Sequence, residues 1–233
     1  MRAAIVLAVF FVVVAVATTR AASAAPPVDE AALQTGDLVF QTSESAQSGA
    51  IREAQRGHPA THVGIVVRDG ARVQILEAVG PVQLTPLAAF RRRGGGGAVA
   101  VYRDPRLDDA TRAAVVAAAR QDLGRPYDPF FTDDDARIYC SELVWRAWRA
   151  VGLEIGRVQS GRELALEGPK VKRLLGERWR AHPGCRDKAS IEACADVVAA
   201  QAIVTPASLM LDPRLVHVAG ALPGASSDEV NPR

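Results

Sequence analysis

Two runs decide the reading: Thr61-His62-Val63-Gly64-Ile65-Val66-Val67-Arg68 and Ala71-Arg72-Val73-Gln74-Ile75-Leu76-Glu77-Ala78-Val79, separated by Asp69-Gly70. Both are rich in β-branched residues, and Asp-Gly between such runs is a strong hairpin signal. With Asp69-Gly70 as a two-residue turn, Arg68 and Ala71 flank it, and His62 falls directly opposite Glu77. Side chains so paired have Cβ atoms about 4.5–5.5 Å apart. A carboxylate at that range orients an imidazole and stabilises its protonated form. A turn centred on Gly70-Ala71 would break this pairing. By itself the pair reads more simply as a cross-strand polar contact, although Glu77, between Leu76 and Ala78, needs a partner or solvent in either case.

Working outward, Cys140 opens the run Cys140-Ser141-Glu142-Leu143-Val144-Trp145. Leu143, Val144, Ala147 and Val151 recur at helical spacing, so the cysteine belongs to the first turn of a helix running to Val151 and stopped by Gly152. A helix start presents unpaired N–H groups and partial positive charge, which favours thiolate and can hold an oxyanion. His62 would then take the thiol proton and hand it to a leaving amine. The competing reading is a buried structural cysteine.

The other two cysteines weigh on that choice. Cys185 and Cys194 are nine positions apart, flanking a polar segment, and in an oxidising compartment they are expected to form a disulfide. Zinc lacks the ligand spacing, since no Cys-x-x-Cys occurs and only His182 is near. Pairing these two leaves Cys140 as the single unpaired thiol of an exported chain.

Export is expected from the N-terminus: Met1-Arg2, an apolar run over residues 3–17, and Ala22-Ser23-Ala24 are the three parts of a secretory signal. The run is too short to span a bilayer, and cleavage after Ala24 would leave a periplasmic or secreted protein. The whole chain of 233 residues carries 28 basic and 26 acidic residues. Removing Arg2 and Arg20 makes the remainder neutral, so charge gives no reason to expect a nucleic acid or a membrane as partner.

Further along, residues 38–40 read as a strand, 49–56 as a short helix, and 98–103 as another strand. Arg91 to Gly97 reads as a flexible, solvated loop. Asp108 caps a helix to residue 123, a Pro- and Asp-rich loop covers 125–137, and a further helix spans about 191–201. A hairpin sheet followed by helices makes an α+β domain over residues 25–218, with 219–233 as a tail.

The ordered set Gly36-Asp37-Leu38-Val39-Phe40-Gln41, Thr61-His62-Val63-Gly64-Ile65-Val66, Leu76-Glu77-Ala78 and Tyr139-Cys140-Ser141-Glu142-Leu143-Val144 resembles the YiiX/YebB-like cysteine hydrolases. These are the circularly permuted branch of the NlpC-type, papain-like peptidases. Tyr127-Asp128-Pro129-Phe130-Phe131 and Thr205-Pro206 also look like the family. The resemblance implies a permuted papain-like α+β fold, with a small antiparallel sheet against helices and the nucleophile at a helix N-terminus. It implies Cys140 as nucleophile, His62 as general base and acid, and Glu77 as the orienting third member. It further implies hydrolysis of an amide in a cell-wall peptide or a lysine-linked amide, with no metal or organic cofactor. Tyr139, Gln41, Asp37 and Ser141 become candidate substrate or oxyanion contacts. An acyltransferase using the same thioester, and a catalytically idle binder of wall peptides, are the alternatives.

Overall fold

A computed structural model describes residues 28–225; the expected signal segment lies outside them. The elements in chain order begin with β1 (Leu38–Gln41), α1 (Ala46–Ala54), β2 (His62–Asp69), β3 (Arg72–Ala78) and β4 (Val82–Pro86). They continue with α2 (Leu87–Arg92), β5 (Ala100–Arg103), α3 (Asp109–Arg120), α4 (Cys140–Ala150) and β6 (Val158–Ser160). The last are α5 (Pro169–Arg178), α6 (Ile191–Ala200), β7 (Ala202–Val204), α7 (Pro206–Met210) and β8 (Val216–Gly220). Six strands form an antiparallel sheet in the order β4-β3-β2-β1-β5-β8, and β6 pairs separately with β7.

The centre of this sheet is covered on both faces, which is why β1 and most of β2 are buried at every position rather than at alternate ones. Leu38, Phe40, Val63, Ile65 and Leu76 face one core together with Leu143, Val144 and Trp148 of α4. Val39, Val66, Ile75 and Val101 face a second, where Leu87 and Phe90 of α2 close over them. Trp148 is fully buried, and its indole N–H donates to Asp104 Oδ2 at 2.9 Å, satisfying the one polar atom of the largest core side chain. Cutting such a residue to alanine costs about 3–5 kcal/mol.

α3 and α4 start where expected, while the first helix begins three residues early, at Ala46, because Ser45 rather than Ser48 caps it. Asp108 accepts the Thr111 N–H at 2.8 Å as the cap of α3, and Gly124 and Gly152, both with positive φ, end the turns after α3 and α4.

Three expectations need correction. The hairpin register differs by two residues: Asp69 pairs with Arg72 and Ile65 with Leu76, so the turn is Gly70-Ala71 rather than Asp69-Gly70. Gly70, at φ +57, is the residue that must supply the positive φ of a tight hairpin turn, and it does so as the first central residue. Residues 91–97 are not a free loop, because α2 runs through Arg92 and the Arg91 side chain donates to Gly97 O at 3.2 Å. The domain also extends past residue 218: β8 pairs with β5 through Gly220, and Leu222 is buried in the main core.

Candidate active site

The site forms where the start of α4 meets the start of β2. Tyr139 is the residue before the helix, and Cys140 is its first. The Cys140 thiol is buried, hydrogen-bonds His62, and receives the backbone N–H groups of Val63 and Ser141. Burial alone pushes this thiol up, but the charge and hydrogen bond of His62 outweigh it and hold Cys140 below the usual thiol range.

His62 turns its other nitrogen, Nε2, to Glu77 Oε2 at 2.6 Å. Burial works against a charged imidazole, yet the charge and hydrogen bond of Cys140, joined by those of Glu77, raise its pKa to about 9. Glu77 is fully buried, which alone would raise its pKa; His62 and the Arg93 guanidinium instead keep it below the usual carboxylate range. All three shifts run in the direction that favours thiolate, imidazolium and carboxylate in a row.

His62 and Glu77 meet despite the shifted register. Continuing the observed pairing puts Gly64, not His62, opposite Glu77, and His62 is the diagonal neighbour on the same face. A Cβ on Gly64 would lie 3.2 Å from Glu77 Cβ and 2.3 Å from Ile75 Cγ2. The absence of a side chain at Gly64 lets Glu77 lean across to His62.

Arg93 and Phe90 were missed in the sequence. Arg93 Nη2 donates to Glu77 Oε1, so the carboxylate is held from both sides. Phe90 lies beneath the pair, its ring centroid 5.7 Å from that of His62 and 5.6 Å from the Arg93 guanidinium carbon. The only hint was on the acid's side: a lone carboxylate in the apolar strand Leu76-Glu77-Ala78 asks for a cation, without saying which residue supplies it.

The remaining candidates play other parts. Asp37 is buried under Arg103, which grips both its oxygens at 2.7 and 2.8 Å, so it ties β1 to β5 and is not available to a substrate. The Tyr139 hydroxyl accepts the Val204 N–H at 3.2 Å, and Ser141 Oγ donates to Val204 O at 2.9 Å. Both side chains pin β7 to the helix start, although Ser141 also lends its N–H to Cys140. Gln41 stands across from His62 on β1, buried, with its Oε1 packed toward Gly94.

Cys140 and Ser141 open onto a cavity of about 130 Å³. Its walls are apolar almost throughout, with Ile51, Phe130, Leu174, Leu175, Trp179 and Ile203 among them. Part of this lining, Trp179, His182 and Val198, comes from the segment in which Cys185 and Cys194 are joined as expected, with Cα atoms 5.2 Å apart.

A sheet over which a helix presents its first residue, a cysteine, to a histidine on a preceding strand is the arrangement of a permuted papain-like enzyme. Residues 32–219 match the family model of the permuted papain-like amidase enzymes of the YaeF/YiiX group, and the chain belongs to that family. It is 38% identical over 148 residues to the protein YiiX of Escherichia coli (strain K12), covering 63% of this chain and 73% of that protein. A crystal structure of YiiX from Escherichia coli O157:H7 superposes with a TM-score of 0.71 at 33% identity, covering 82% of this chain and 98% of that one. That structure's description calls YiiX a metalloprotein. Here, among the described residues, no three His, Cys, Asp or Glu side chains are grouped to hold a metal ion, and the Cys140 thiol is already engaged by His62.

Proposed function

We propose that the protein is an exported cysteine amidase in which Cys140, His62 and Glu77 act as a triad on an amide whose acyl side is apolar. The observation that carries this reading is that one thiol meets both requirements: it is paired with His62, and it opens onto the apolar cavity. Cys140 Sγ attacks the carbonyl carbon, and the oxyanion forms beside the N–H of Cys140, which as the first helical residue has no intrahelical acceptor. His62, already protonated, gives its proton to the amine nitrogen as the C–N bond breaks, leaving a thioester on Cys140. His62 next takes a proton from water, the hydroxide adds to the thioester, and the carboxylate product leaves with the thiolate restored. Glu77 holds His62 in the orientation both transfers need, and Arg93 holds Glu77.

The apolar walls favour an aliphatic or aromatic acyl group over the charged parts of a wall peptide. The amine is left open to solvent, where a lysine-linked amide is acceptable. Export is supported by the Cys185–Cys194 bridge, which persists in oxidising compartments. The test is product analysis by mass spectrometry on amides of one amine with acetyl, hexanoyl, decanoyl and phenylacetyl groups, beside wall-peptide fragments. Release should rise with apolar size and vanish in Cys140→Ala. Turnover by Cys140→Ala, or a preference for acetyl, overturns the reading. Added amines in the same assay separate hydrolysis from acyl transfer, since only transfer yields new amides.

A further inference from the structure

A second cavity, of about 420 Å³, backs onto the first and shares Ala54, Gln55, Leu164 and Thr205 with it. Its wall carries three guanidinium groups, Arg56, Arg157 and Arg214, and two carboxylates, Glu163 and Asp212, an excess of one positive charge among these five.

The acceptors on this wall are already used. Asp212 Oδ1 takes the Arg214 backbone N–H at 2.9 Å and Nε at 2.8 Å, and Oδ2 takes Arg214 Nη2 at 2.6 Å together with the Gly156 N–H. Glu163 takes Arg157 Nη1 at 2.5 Å and the Ser160 N–H at 2.8 Å. The donors are not. Among the described residues, the Arg56 guanidinium makes one hydrogen bond, to Glu163 O at 3.4 Å. Arg157 makes a single one, and the Gln159 amide oxygen accepts from Thr205 at 3.3 Å. A guanidinium offers five N–H donors in a fixed fork, so unspent donors far outnumber acceptors.

The backbone adds a second observation. Arg56 follows the end of α1 at φ +57, a conformation glycine adopts freely and a side chain only with strain. Gly57 follows at φ +91, so the turn has its glycine one residue too late to spare Arg56. The side chain kept at that strained position is the one whose guanidinium is least satisfied.

We infer that this cavity is an anion site, in which Arg56 and Arg157 bind a carboxylate or phosphate group and Arg214, held by Asp212, lends its charge nearby. The inference does not depend on catalysis at Cys140. A planar carboxylate or a tetrahedral phosphate accepts from guanidinium forks at charge-assisted distances, and such pairing weakens with added salt.

The test is calorimetric titration of inorganic phosphate and of acetate into the full-length protein at low ionic strength, for the wild type and two single variants. Saturable one-site binding is expected for at least one anion. Arg56→Gly should weaken it at least tenfold while leaving the melting temperature unchanged or higher, because it relieves the backbone strain. Glu163→Gln should tighten it severalfold, because it removes a competing carboxylate and frees Arg157. The inference is overturned if neither anion saturates, if Arg56→Gly binds as tightly as wild type, or if Glu163→Gln weakens binding.

Discussion

The two walls of the apolar cavity are built on different principles. On one side stands α4, whose Leu143, Val144, Ala147 and Trp148 are sunk in the main core while Cys140 and Ser141 face the cavity. On the other stand α5 and α6, where α5 has no buried residue at all and α6 has only Cys194. Polar ties and a covalent bridge hold that second wall. Glu53 of α1 accepts the Lys170 and Val171 N–H groups at 2.7 and 2.9 Å, doing for α5 what its own cap residue, Gly168, cannot. Arg178 reaches Gln47 at 2.8 Å, and Cys185–Cys194 closes the far end. The apolar side chains of α5 thus face the cavity rather than a core. The proposed nucleophile sits on the wall that is packed into the main core. Choice of substrate falls to the wall that an apolar occupant would complete.

The comparison breaks most sharply at the reactive wall. His62→Ala should lower amide hydrolysis by about 10⁴–10⁶-fold, the range seen when a triad member is lost, while the melting temperature changes little. A large thermal loss with modest kinetic loss would instead make His62 a structural residue. The pH profile belongs to the same wall. His62 must carry a proton for the leaving amine, so with its pKa raised to about 9 the rate should hold across neutral pH and fall as pH rises through about 9. A fall centred on the ordinary imidazole range, near pH 6.5, contradicts this assignment.

Next in size is Gly64→Ala. The added methyl meets Ile75 Cγ2 and crowds Glu77, so overpacking of about 1–3 kcal/mol is expected, with a drop in kcat as Glu77 is pushed from His62. Unchanged stability and rate would show that Glu77 needs no such room.

The way the site was read from sequence explains why this glycine matters. The hairpin register inferred from Asp69-Gly70 was off by two, yet it linked the right pair. A shift of two preserves the face on which each side chain lies, and a diagonal histidine and glutamate are long enough to meet where no Cβ intervenes. Cys140 was legible because a helix start is a local pattern. The Cys185–Cys194 bridge was legible because the two cysteines lie nine positions apart around a polar segment of a chain expected to be exported. Arg93 was not, since its meaning depends on α2 folding back over the second core, and a run of three arginines before four glycines carries no local trace of that contact. The tail was misjudged for a similar reason: β8 is five residues long and gains its strand character only by pairing with β5.

The smallest effect is expected at the second wall. Replacing Cys185 and Cys194 with serine should leave kcat near wild type and raise KM severalfold for apolar acyl groups only. The bridge closes a short loop worth about 2–3 kcal/mol, and that loss should be confined to α5 and α6, visible as faster amide exchange there. Loss of kcat would mean that the bridge supports the reactive wall too, and the contrast between the walls would fail.

The central claim is that Cys140 rests as a thiolate because His62 holds it so, and alkylation kinetics test it most directly. The rate of iodoacetamide labelling at Cys140, followed by intact mass against pH, should be already high and nearly flat through neutral pH in the wild type. In His62→Ala it should be slow there and rise only in the ordinary thiol range, around pH 8.5. Identical profiles for the two proteins, both rising around that pH, would contradict the account.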